Sequence, residues 1–174
     1  LDEKEELFVC GDLFERMRYQ GAGSSMINPT KVTPPKAAFD EAGIKYVFAR
    51  GYAENKTQTE QKHIDETLKL SEKYKKVLVF AGLTDYVESE GCDREDMLLP
   101  ENQLALIDAL IQANRKVVVV LFGGSPVELP FAEKVSAILN MYLPGQSGGT
   151  ACANLLFGKV NPSGRLAETW PLKY

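Results

Sequence analysis

Two apolar runs that end in glycine, "KVLVFAG" (76–82) and "KVVVVLFGG" (116–124), constrain this chain more than any other feature. Between them lies "PENQLALIDALIQANR" (100–115), long enough for a crossover helix. Three more runs of the same kind follow the pattern: "ELFVCG" (6–11), "IKYVFA" (44–49) and "VSAILNMY" (135–142). All five are short, rich in β-branched or aromatic residues and not strictly alternating, which is the signature of strands covered on both faces and hence of a parallel sheet.

The intervening segments read as helices. "PPKAAFDEAG" (34–43) opens with prolines and stops at Gly43, and "TEQKHIDETLKLSEKYKK" (59–76) places Ile64, Leu68 and Tyr74 on one face. Segment 100–115 starts at Pro100, carries Leu104, Ile107, Leu110 and Ile111, and ends at Asn114 beside Arg115; "GQSGGTACANLLFG" (145–158) closes at Gly158. Strands alternating with helices predict an α/β fold, a three-layer sandwich with a mostly parallel sheet flanked by helices on both faces. No repeat, low-complexity tract or linker divides the chain, so residues 1–174 are expected to form a single domain.

Open parallel sheets collect ligands at the carboxyl ends of their strands. The glycine-rich and charged segments fall there: "GDLFERMRYQGAGSS", "GLTDYVESEGCDRED", "GGSPVELP" and "LPGQSGG" follow the first, third, fourth and fifth runs. A formal charge of −4 without a Lys/Arg block argues against nucleic acid or an anionic membrane surface as partner, and apolar runs this short fall well below the ~20 residues that span a bilayer. Small, uncharged substrates fit better. The start at Leu1 has neither an initiator Met nor a signal-peptide pattern. Cys10, Cys92 and Cys152 are odd in number and widely spaced, which points to reduced thiols and a cytoplasmic setting, with secretion as the alternative. Asn55-Lys56-Thr57 matches a glycosylation sequon, a tripeptide common by chance.

Candidate chemistry narrows by elimination. Gly21-Ala-Gly-Ser-Ser25 could cradle phosphate, yet its spacing fits neither a Walker loop nor GxGxxG, so a tight structural turn or a loop packed on a neighbouring domain is the plainer reading. Ser125 does not satisfy GxSxG, and the single histidine, His63, sits in a polar helix, which leaves a Ser or Cys triad without a base. Cys92 lies among acids, which disfavour a thiolate. The remaining stretch, "VESEGCDRED" (87–96), packs five carboxylates and one arginine into ten residues. Metal binding, a solvated charged loop and a poised general acid are the readings open to it; EF-hand spacing is absent, and no metal or other cofactor is expected. Crowding and partial desolvation raise a carboxyl pKa, as a general acid requires, while Gly91 lets the chain turn beside Glu90. Arg94 would pair Asp93 or a neighbour to hold the loop. No nucleophile accompanies these acids, so such a site is half complete.

Four stretches in order, "RYQGAGSSMINP" (18–29), "GLTDYVESEGCDREDMLLPENQ" (82–103), "VVVVLFGGSPVELP" (117–130) and "MYLPGQSGGTACANLLFGKVNPSGRLAETWP" (141–171), resemble the second, α/β-sandwich domain of glycoside hydrolase family 3, home of many β-glucosidases. The resemblance covers nearly the whole chain. It implies a retaining glycosidase acting on terminal non-reducing β-D-glucosyl residues of a glycoside or oligosaccharide. The aspartate nucleophile would then sit on a preceding (β/α)8 barrel, with the sandwich lending the acid/base glutamate. The E-G-x-D-R motif assigns that role to Glu90, with Glu88 as runner-up. Asp93 and Arg94 would position the loop, and Arg18, Gln20, Ser24 and Ser25 would line the barrel junction or the outer edge of the sugar pocket. A β-xylosidase, a β-N-acetylglucosaminidase or another exo-glycosidase of the family, and a non-catalytic carbohydrate-binding or scaffold module, are the alternatives. Without a barrel, and with no fibronectin-like domain after "TWPLKY", the chain alone is expected to be inactive.

Overall fold

The computed structural model describes residues 1–53 and 56–174, so Asn55 of the sequon lies outside the described residues. Five parallel strands, β1 (Leu7–Cys10), β2 (Tyr46–Ala49), β3 (Lys76–Gly82), β4 (Lys116–Phe122) and β5 (Ala137–Asn140), form one sheet in the order β2-β1-β3-β4-β5. The longest pairing runs in register from Lys76 opposite Lys116 to Gly82 opposite Phe122. The helices are α1 (Pro35–Glu41), α2 (Gln61–Ser71), α3 (Glu101–Gln112) and α4 (Gly148–Leu156).

Each expected strand and helix is present, β3 with its expected bounds and the others shorter by one to several residues, and the stops of α1, α3 and α4 have a common cause. After α1, Gly43 at φ +69° lets Gly43 N–H reach the Asp40 carbonyl (3.1 Å) and Ile44 N–H reach that of Phe39 (3.0 Å). Asn114 does the same after α3, with Asn114 N–H on Ile111 and Arg115 N–H on Leu110, and Gly158 does so after α4. These left-handed caps absorb carbonyls that the helix end would otherwise leave unpaired. The segment 59–76 departs from expectation at its C-terminus. Its helix ends at Ser71, and Tyr74 leaves the helical face to pack its ring 5.5 Å from Phe8. The chain must turn there to enter β3.

Central strands bury both faces. Val77, Val79 and Ala81 of β3 face a core shared with Leu106, Ile107 and Leu110 of α3, whereas Leu78 and Phe80 face Phe14, Phe39 and Cys152 on the side of α1 and α4. Leu106, absent from the face read off the sequence, is fully buried, while Leu104 and Ile111 are only partly so. Among the described residues no helix is long and apolar enough to cross a membrane. Cys10, Cys92 and Cys152 are free thiols; burial pushes Cys10 far above the ordinary range and Cys152 up to about 12.

At the carboxyl end of the sheet the backbone closes tightly. A Cβ on Gly82 would fall 1.9 Å from the Phe122 carbonyl oxygen, and one on Gly11 2.0 Å from that of Phe80. Gln103, on the first turn of α3, completes the end of β3 by accepting from Gly82 N–H (2.8 Å) and donating to its carbonyl (3.0 Å). The loops that follow β1, β3 and β4 therefore leave the sheet from fixed points.

Candidate active site

The acidic loop runs from Leu83 to Pro100. Arg18, from the loop after β1, anchors its first half. That side chain is only 4% exposed, and its Nη1 donates to the Leu83 carbonyl (3.1 Å) while Nη2 donates to the Glu88 carbonyl (2.8 Å). Nη1 also lies 3.0 Å from Glu88 Oε2, and Nε lies 3.3 Å from the exposed Asp85 carboxylate. A planar guanidinium with donors in fixed directions suits this task, since it ties two backbone carbonyls and a carboxylate at once.

Glu88 is consumed by the same junction. Gly124 N–H donates to its Oε2 at 2.9 Å and the Ser125 hydroxyl donates to its Oε1, so the carboxylate bridges the loops after β1, β3 and β4. The sequence presented Ser125 only as a failed nucleophile. Here it is a donor to a structural carboxylate, and the glycine beside it supplies a second donor.

Glu90 sits two residues further on, at the tip. Cys92 N–H closes a turn onto the Ser89 carbonyl (3.2 Å), and Gly91 at φ +79° occupies its third position, where a type II turn needs a left-handed residue. Glu90 is exposed. The loop 18–29 wraps it from one side: Glu90 N–H reaches the Ala22 carbonyl (3.4 Å), and Glu90 Oε2 accepts from Ser24 N–H (2.6 Å) and from the Ser24 hydroxyl. Gly23, at φ +89°, makes this approach possible, because a Cβ there would sit 2.5 Å from Glu90 Cβ. The glycine-rich segment does hold an anion through backbone N–H, and that anion is the protein's own carboxylate.

This environment lacks the crowding and desolvation that would raise a carboxyl pKa. The Ser24 hydroxyl, followed by the Ser24 N–H, holds the Glu90 carboxyl below its ordinary range, and desolvation opposes this only weakly because the group faces solvent. Crowding in sequence did not become crowding in space. Among the described residues no three of His, Cys, Asp and Glu converge as a metal ion would need.

The remaining candidates separate into supports and bystanders. Gln20 braces the 18–29 loop, with Oε1 accepting from Ile27 N–H (3.0 Å) and Nε2 donating to the Ile27 carbonyl (3.0 Å). Arg94 reaches across to the loop after β4, where Nη1 donates to the Pro126 carbonyl (3.0 Å) rather than to Asp93. Asp93 and Ser25 are exposed. His63 lies on α2, near Glu60. An open cleft of about 200 Å³ is lined by Arg18, Ala22, Glu88, Glu90, Gly124 and Leu143, which places the Glu90 tip and its Arg18–Glu88 root on one wall. Where the strand order reverses, between β1 and β3, Arg18 and Gln20 also line a neighbouring cleft of about 230 Å³.

Comparisons with known proteins converge on one family. The family described as "Glycosyl hydrolase family 3 C-terminal domain" matches residues 1–174. The chain is 42% identical to thermostable beta-glucosidase B of Acetivibrio thermocellus, over 99% of this chain and 23% of that protein. It is 41% identical to an exo-alpha-(1->6)-L-arabinopyranosidase of Bifidobacterium longum, over 97% of this chain and 22% of that one. The crystal structure of a Bifidobacterium adolescentis GH3 beta-glucosidase superposes with a TM-score of 0.89 at 38% identity, covering 97% of this chain and 25% of the other. The chain thus spans about a quarter of the length of these relatives.

Proposed function

Because the chain belongs to the glycosyl hydrolase family 3 C-terminal domain family, we propose that it is the sandwich domain of a retaining β-glucosidase-type enzyme and supplies the general acid/base, Glu90. The nucleophile comes from a companion N-terminal (β/α)8 barrel seated against the carboxyl edge of the sheet. The observation that carries this reading is the unequal fate of the two glutamates. Glu88 is spent on Arg18, Gly124 and Ser125, whereas Glu90 projects from a tight turn with its carboxyl open to solvent.

In the first step the barrel carboxylate attacks the anomeric carbon, the bond to the leaving oxygen breaks, and the Glu90 proton passes to that oxygen. In the second, Glu90, now ionised, takes a proton from water while the water oxygen attacks the anomeric carbon and frees the nucleophile. Retaining geometry needs the two carboxyls about 5 Å apart. A loop tip reaching out of one domain can meet that demand; a glutamate locked into its root cannot.

The matching arabinopyranosidase favours a second reading of the sugar, an exo-glycosidase of the same family acting on a pentopyranosyl terminus. The mechanism and the role of Glu90 are unchanged by it. In the full-length enzyme, Glu90→Ala is expected to slow hydrolysis of a disaccharide by about 100- to 10,000-fold. The first step on an activated aryl glycoside, whose leaving group needs little protonation, should be largely spared. Rates on both substrates are the measurement. If Glu88→Gln gave that split and Glu90→Ala did not, the role would pass to Glu88.

A further inference from the structure

We propose that Ser24 is a positioning residue for the acid/base step: its hydroxyl and N–H clasp Glu90 Oε2 and set where the carboxyl points. This rests on the assignment of Glu90 above and adds a second residue, from a different loop, to the control of its chemistry.

The geometry is specific. Both donors of Ser24 converge on one oxygen of Glu90, and the backbone of residues 22–23 closes in on the Glu90 N–H and Cβ. An unbraced glutamate at a loop tip would sample several rotamers. The clasp selects one of them. It also stabilises the ionised form, because two donors complement a carboxylate and only one of them can turn to accept from a carboxylic acid. The ionised form is what the second step needs to activate water; the protonated form is what the first step needs. Ser24 therefore biases the cycle toward the base role.

The charges that face Glu90 from packed elements do not duplicate this effect. Arg18, from the loop after β1, shares the cleft with Glu90, but its guanidinium is taken up by Glu88 and Asp85. Glu88, on the same loop as Glu90, is in turn paired with Arg18 and with donors from Gly124 and Ser125. The loops after β4 and β5 present Gly124 and Leu143, which carry no charge.

The test is the pH dependence of kcat/KM in the full-length enzyme, measured on an unactivated disaccharide, whose alkaline limb reports loss of the acid proton in the free enzyme. Removing the hydroxyl with Ser24→Ala takes away a stabiliser of the carboxylate and should move that limb to higher pH. Ser24→Thr, which keeps the hydroxyl, should stay with the parent enzyme. An unmoved limb in Ser24→Ala, or an equal shift in Ser24→Thr, would overturn the coupling. Glu90→Ala, run alongside on activated and unactivated substrates, separates the two failures. If it shows the acid/base pattern while Ser24→Ala leaves the limb in place, only the coupling falls. If it does not, the assignment of Glu90 falls and takes the coupling with it.

Discussion

The root and the tip of the acidic loop obey different rules. Both carry a glycine with positive φ, Gly82 at +152° and Gly91 at +79°. A Cβ at Gly82 would strike the backbone of β4, while one at Gly91 would meet nothing within 4 Å. Both carry a glutamate. At the root, Glu88 is 16% exposed and bound to Arg18 and to donors from the loop after β4; at the tip, Glu90 is exposed and held by Ser24 alone among the described side chains. At the root the Arg18 guanidinium and the Glu88 carboxylate are matched to each other and to backbone groups, and the tip is a presented side chain with one guide. A fixed base suits a presented functional group, because small displacements at the base become large ones at the end.

The sharpest way to break this contrast is at Gly82. Gly82→Ala adds strain against the Phe122 carbonyl at a position where the backbone itself is unusual, and should lower stability by at least about 3 kcal/mol in denaturant unfolding. A loss under 1 kcal/mol would mean that the strand ends are looser than they look. Next comes Arg18→Met, which keeps volume but strips the guanidinium from two carbonyls and from Glu88. Leaving a half-buried carboxylate without its cation should cost about 3 kcal/mol, measured in the same way. An effect near that of an exposed ion pair, below about 1 kcal/mol, would show that Glu88 is adequately held by Gly124 and Ser125 without it. Gly91→Ala is the mildest, since space is open and only the left-handed backbone resists it; about 1 kcal/mol is expected. If Gly91→Ala matched Gly82→Ala, the distinction between root and tip would disappear.

Local signals account for how much of this could be read from the chain. Apolar runs and helix stops are short-range properties: Gly43, Asn114 and Gly158 end their helices because those residues tolerate the left-handed cap, and each was visible as a stop. Tyr74 was misplaced because a helical pattern continues on paper past Ser71, while the chain must turn into β3 and spends that aromatic ring on Phe8. The E-G pair that makes the turn was legible, and so was the concentration of acids. Their separation into a buried bridge and an exposed tip was not. The E-G-x-D-R motif ranked Glu90 ahead of Glu88, but nothing in "ESE" showed that Glu88 would be bridged and Glu90 left exposed.

That separation comes from residues distant in the chain. Arg18 lies 70 positions before Glu88, Ser24 lies 66 before Glu90, and Gly124 lies 36 after Glu88. Periodicity by itself determined the layered α/β architecture, and four motif stretches in order carried the resemblance to the family that matches the chain. The tertiary structure alone decided which carboxylate is neutralised and which is offered, and it brought Ser24 to Glu90, where its donors favour the ionised carboxyl. The physical reason is that proton affinity depends on the donors and water that surround a group in space, whereas the turns at 84–88 and 89–92 carry sequence neighbours into different surroundings.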